Sequence, residues 1–274
     1  GTDNWTFISG PNVPTIVAPG NANVSINGMI AGVYVFRWTI SNGVCASSTD
    51  DVQVTIYALP TVANAGPDQN ICNVNSTAFT GNNPVNGNGN WTLISGPNIP
   101  TITSAADPVS TITGMISGVY VFRWTISNGV CAATFDDVQI SIFGLPTISN
   151  AGPDQDLCNV NNIVLSANIP VTGAGIWTLL SGPNTPTITT PSNPASAVTG
   201  MVAGVYTFRW TISNGACSPS TDDVQITIYA TPTVSVAGPD QSLCNVTSTT
   251  LAGNNPVNGS GNWTLVSGPN SPII

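Results

Sequence analysis

The side chains in this chain that could do chemistry are few: twelve Asp, six Cys and three Arg, with no His, Lys or Glu. The carboxylates Asp50 and Asp51, together with Asp68, are oxygen donors of the kind that hold Ca2+. The plainer reading is that Asp50 and Asp51 end a turn and open a strand, while Asp68 starts an Asx-type turn after Pro67. Read as a catalytic dyad, the same pair would need a cleft that perturbs both pKa values. General acid/base work near neutral pH draws on His, a tuned Glu or a depressed Lys, and none of these exists here. Ser-His, Cys-His and Ser-Lys nucleophile pairs fail for the same reason. Zinc sites built on imidazole are excluded, and six Cys without a C-x-x-C pair argue against a thiolate site. The expectation is a protein with no catalytic residues, no metal and no cofactor, Ca2+ on the Asp cluster being the one open alternative.

Charge narrows the partners. Three cations against twelve anions give a net charge of −9, which repels a phosphate backbone and an anionic membrane surface alike. With 41% apolar residues and only 5% charged ones, the chain has the material for a core. Its longest apolar runs, such as Met29 to Phe36, fall short of the roughly 18 to 20 residues that a membrane helix needs, so no membrane insertion is expected. The 27 Gly and 22 Pro punctuate stretches rich in Val, Ile, Thr and aromatics, a pattern of short strands and tight turns. The expected class is all-β.

These residues recur at a fixed step. Trp5, Trp91, Trp177 and Trp263 of the NWT-like strand stand 86 residues apart, as do Trp38, Trp124 and Trp210 of FRWTISNG and the acidic pairs that begin at Asp50, Asp136 and Asp222. A period of 86 exceeds that of solenoids and propellers and matches one sandwich domain. The junctions ALPTV (58–62), GLPTI (144–148) and ATPTV (230–234) divide the chain into a partial repeat 1–58, whole repeats 59–144 and 145–230, and a partial repeat 231–274. Linkers this short should hold neighbours semi-rigidly.

Within a repeat, alternation predicts which side faces inward. Tyr120, Phe122, Trp124 and Ile126 share one parity and should be buried, with Val121, Arg123 and Thr125 outward. After the turn at 127–129, Val138, Ile140 and Ile142 alternate with Asp137, Gln139 and Ser141, completing a hairpin signal. With stretches at 60–66, 76–80, around Trp91, at 99–103 and at 109–113, each repeat offers about seven strands, as a two-sheet sandwich requires. Trp38, Trp91, Trp124, Trp177 and Trp210 are therefore expected in the core and not on a sugar-stacking platform. The single cation of each repeat faces an acidic residue on the next strand, giving three expected cross-strand ion pairs: Arg37 with Asp51, Arg123 with Asp137, and Arg209 with Asp223.

AGPDQ (65–69), a strand ending at Gly81, WTLISGP (91–97), GVYVFRWT (118–125) and DDVQISI (136–142) together resemble the PKD/REJ-type immunoglobulin-like domain. In particular they are similar to the tandem copies in very large cell-surface proteins of gliding Bacteroidetes, many of them exported by the type IX secretion system. The resemblance implies a linear array of PKD-like β-sandwiches. The WDFGDG-like turn of commoner PKD domains is missing, so it carries over no calcium or carbohydrate site.

Each repeat contributes two Cys. Pairing within a repeat gives Cys72–Cys131 and Cys158–Cys217, leaving Cys45 and Cys244 without partners; free thiols and other pairings are the alternatives. Joining Cys45 to Cys72 fails, because the chain between them runs down one strand and into the next domain, far past the ~7 Å Cα limit. Against the pairing within a repeat stands one feature: Cys72 lies near the first turn and Cys131 near the last hairpin, which can sit at opposite ends of a sandwich. Disulfides place the protein outside the reducing cytosol.

The sequence thus points to stalk repeats of a secreted, surface-attached adhesin or filament, seen as a window in a longer array, with neighbouring repeats of the same chain as partners. Two other readings remain: repeats that themselves grip a polysaccharide or another surface, and a donor-strand filament subunit that pairs with other copies.

Overall fold

A computed structural model describes residues 1–274. Every regular element in it is a β-strand. The chain divides into two compact units, Gly1–Gly144 and Leu145–Ile274.

In the first unit, β1 (Thr2–Ser9), β4 (Gly32–Ser41) and β5 (Ser48–Ile56) form an antiparallel sheet in the order β1-β4-β5, while β2 (Thr15–Val17) pairs with β3 (Ser25–Asn27). The next repeat supplies seven strands: β6 (Gln69–Cys72), β7 (Ser76–Ala78), β8 (Asn88–Ser95), β9 (Thr101–Ile102), β10 (Thr111–Thr113), β11 (Gly118–Ser127) and β12 (Thr134–Phe143). They form one sheet in the order β6-β12-β11-β8 and a second in the order β7-β10-β9. All neighbours are antiparallel except β6, which runs parallel to β12.

The second unit repeats this plan with β13 (Gln155–Cys158), β14 (Asn162–Val164), β15 (Ala174–Ser181), β16 (Thr187–Ile188), β17 (Ala197–Thr199), β18 (Gly204–Ser213) and β19 (Ser220–Tyr229). Its sheets have the orders β13-β19-β18-β15 and β14-β17-β16. No regular strand forms after Tyr229. Trp263, in that last stretch, is exposed.

The alternation read from sequence is the alternation of burial except at Ser141, which was expected outward and is buried as well. Tyr120, Phe122, Trp124, Ile126, Val138, Ile140 and Ile142 are buried together with Trp91 of the same sheet and with Phe79, just past β7. Phe79 stacks on Trp91 at 3.8 Å between ring centroids, and Trp91 meets Trp124 at 4.9 Å. Close packing of this pair sets a demand on the neighbouring strand: a Cβ at Gly89 would lie 2.1 Å from the Trp124 ring, so only glycine fits there. Trp177 and Trp210 form the equivalent pair in the next repeat, under Gly175. Trp38, also expected in the core, differs in being only partly buried.

The stretch 60–66, expected as a strand, is not one. It runs beside β12 but bonds to that strand's side chains instead of its backbone. Thr134 Oγ1 accepts from the Ala63 N–H at 3.0 Å and donates to the Thr61 carbonyl at 2.7 Å, and Asp136 Oδ2 accepts from the Ala65 N–H at 2.8 Å. Only past the AGPDQ turn does the chain enter the ladder, as β6.

Candidate functional site

Most of the carboxylates singled out by the sequence are engaged in structural contacts. On the outer face of the large sheet, Arg123 of β11 lies in register with Asp137 of β12. Its Nε and Nη2 donate to the two carboxylate oxygens at 2.7 and 2.8 Å, a fork-to-fork pair. Arg37 with Asp51 and Arg209 with Asp223 repeat this geometry at 2.7 and 2.9 Å. The guanidinium holds each of these three aspartates below the usual carboxylate range, through the hydrogen bond first, with burial opposing. Only in the middle repeat does an exposed aromatic cover the pair, with Arg123 Cζ 4.1 Å from the centroid of Phe135.

In the two whole repeats the first member of the acidic pair bonds elsewhere. Asp136 and Asp222 receive the N–H groups of Ala65 and Ala151, and the turn aspartates Asp68 and Asp154 receive those of Gln139 and Gln225 at 2.8 Å. The AGPDQ segment is thereby clamped to the last strand at both ends. No group of three or more Cys or Asp side chains converges in a way that could hold a metal ion, and Asp50, Asp51 and Asp68 do not assemble into a shared donor set.

A second polar device went unseen in the sequence. The hydroxyl of buried Tyr120 donates to Asn98 Oδ1 and accepts the Ile116 N–H at 2.8 Å, while Asn98 Nδ2 donates to the Gly114 carbonyl at 2.8 Å. Tyr34 with Asn12 and Tyr206 with Asn184 build the same lock. A buried phenol needs such partners, and the signal was available: Asn12, Asn98 and Asn184 of three SGPN motifs stand 22 residues before Tyr34, Tyr120 and Tyr206 of GVY.

The cysteines correct the expected pairing. Cys72 and Cys217 are disulfide-bonded, whereas Cys45, Cys131, Cys158 and Cys244 are free thiols, so neither Cys72–Cys131 nor Cys158–Cys217 forms. The parallel course of β6 is the reason. Cys72 sits beside Phe143, the last residue of β12, while Cys131 precedes Thr134, its first. Nine steps of strand at about 3.3 Å separate the two ends by roughly 30 Å, far beyond disulfide reach.

At the entry end of the repeat, the turn after β11 rests on the preceding repeat's strand exit. Asn128 Nδ2 donates to the Ala58 carbonyl at 2.9 Å, and Cys131 Sγ lies 3.5 Å from the same oxygen. Gly129, with φ of 55°, packs on the Tyr57 ring, which a Cβ would meet at 2.3 Å.

Two-sheet sandwiches repeated along one chain define a tandem immunoglobulin-like β-sandwich fold. The K319L-like PKD domain family matches residues 2–56 and 151–228, so domains of that kind are found in this chain. The chain is 26% identical over 298 residues to human "Dyslexia-associated protein KIAA0319", covering 97% of this chain and 28% of that protein. It is 23% identical over 243 residues to mouse "Dyslexia-associated protein KIAA0319-like protein", covering 82% and 23%. It thus spans about a quarter of the length of the curated relatives it matches. Among solved structures, the PKD domain from KIAA 1837 protein is 26% identical over 34% of this chain and 91% of that one, with a TM-score of 0.27. A three-domain immunoglobulin fragment of titin is 12% identical over 82% and 87%, with a TM-score of 0.48.

Proposed function

We propose that this chain is part of the stalk of a large secreted, surface-attached adhesin or extracellular filament, its repeats acting as spacers without chemistry of their own. The observation that carries this reading is the fate of the polar side chains. In each whole repeat the same arginine, aspartates, tyrosine and asparagine are engaged in holding the sandwich together. What would be a site in an enzyme is here a set of fasteners. The mammalian relatives, about four times as long as the matched region, support a place within a longer protein. The bonded cysteines and the lysine-free, acidic surface support an exterior location. The likeness of AGPDQ, WTLISGP and DDVQISI to repeats of gliding Bacteroidetes supports a role in surface adhesion or gliding, with export by type IX secretion.

A glycan array probed with this chain tests the spacer against the binding-module reading. No saturable binding to any glycan is expected. Saturable, competable binding to one glycan class would overturn the spacer role.

A further inference from the structure

The junction between the first two repeats lies inside the compact unit Gly1–Gly144, so its contacts belong to one folded body. Between the end of β5 at Ile56 and Thr61 the chain has only Tyr57, Ala58, Leu59 and Pro60. Such a connection could still hinge. Groups of the second repeat, however, hold it at both ends. Downstream, Thr61 donates its N–H to the Asn86 carbonyl at 3.0 Å, and its hydroxyl accepts the N–H groups of Val85 and Asn86 at 2.9 Å. Pro60 is buried, and its ring fixes φ. Upstream, the Ala58 carbonyl accepts from Asn128 Nδ2 at 2.9 Å and faces the Cys131 thiol at 3.5 Å, which engages both of its lone pairs.

The turn that makes these contacts is shaped for its neighbour. Asn42-Gly43 and Asn128-Gly129 occupy the same position of the repeat, 86 residues apart. Both turns close with a bond from the cysteine N–H to the asparagine carbonyl at 3.1 Å, and their glycines have φ of 56° and 55°. In backbone they are alike. A Cβ at Gly43 would meet nothing within 4 Å, whereas one at Gly129 would lie 2.3 Å from the Tyr57 ring. The turn conformation favours glycine at both positions, and only at Gly129 does a packed ring demand it a second time.

We propose that the turn 127–131 is a receptor for the strand exit at Tyr57 and Ala58, and that the two together make this junction a fixed joint in place of a flexible linker. The Tyr57 ring lies on Gly129, the Asn128 carboxamide binds the next carbonyl, and the Cys131 thiol closes on the same oxygen. The angle between the first and second repeats is then set by side-chain contacts, which a local opening must break before the repeats can swing. The joint is the same whether the array is a passive spacer or grips a surface.

Cys131 reports on the joint, and Cys45, its counterpart in the first repeat, is the control. Both are thiols, but Cys45 is exposed while Cys131 is partly covered. The native chain is alkylated over a time course without reductant, quenched, digested with trypsin and weighed, each modified cysteine being located by fragmentation of 38–123 and 124–209. Cys131 is expected to react several-fold more slowly than Cys45. Asn128→Ala removes one hydrogen bond and should speed Cys131 roughly fivefold, leaving Cys45 unchanged. Tyr57→Ala should also speed Cys131, and it acts from outside the repeat that carries this thiol. Tyr57→Phe, which introduces the residue found at the equivalent position 143, should leave the wild-type rate. Where Asn128→Ala unfolds its own repeat, seen as fast hydrogen exchange throughout β11, Tyr57→Ala decides alone. Equal rates at Cys45 and Cys131 in the wild-type chain would overturn the joint. So would a Cys131 rate that Tyr57→Ala leaves unchanged. The thiol rates read the joint without reference to any glycan.

Discussion

The two aspartates of each DD pair show how one residue type serves two fasteners. Alternation sends Asp137 outward to Arg123 and Asp136 back toward the Ala65 amide. The Arg123–Asp137 pair was legible in the sequence because strand parity and hairpin register together specify a cross-strand neighbour. The role of Asp136 was not, since its partner lies 71 residues earlier in a segment without ladder bonds. The pair carries a pH signature. Asp137 has a folded pKa below its unfolded value of about 3.9, so its contribution is complete above that value and is lost as pH falls through the folded pKa. Asp137→Asn should therefore lower the melting temperature of the middle repeat at pH 7, and the gap from wild type should narrow as pH falls below the usual carboxylate range and through the folded pKa. A gap of equal size at pH 7 and pH 2.5 would mean that the ion pair contributes nothing.

At the scale of elements, the hairpin of β11 and β12 and the tryptophan strands were readable because a single buried face writes period-two alternation into the sequence. The stretch 60–66 misled for a physical reason: Val, Ala and Pro there suit an extended chain, but its partners are the hydroxyl of Thr134 and the carboxylate of Asp136, which no backbone pattern records. The parallel course of β6 was equally invisible, and with it the true neighbours of the cysteines. Thr134→Val removes the acceptor for the Ala63 N–H and the donor to the Thr61 carbonyl, at a cost of about 1 to 3 kcal/mol. Hydrogen exchange should accelerate at the Ala63 amide. The Ser149 amide, bonded to Ser220 in the next repeat, is the internal control and should not change. Equal exchange at Ala63 in variant and wild type would show that the segment is held by something other than Thr134.

For the whole molecule, the period gave the architecture and the resemblance gave its type. Two complete sandwiches, each with its own aromatic core, follow one another along a chain whose polar side chains fasten its own folds. No helix in the chain is long and apolar enough to cross a membrane. If the repeats are autonomous mechanical spacers, stretching the reduced chain between its termini must break them one at a time. The account predicts separate ruptures for 59–144 and 145–230, each releasing 86 residues, or roughly 300 Å of extended backbone less the folded span. A single rupture that frees both repeats at once, or a smooth extension without ruptures, would contradict it.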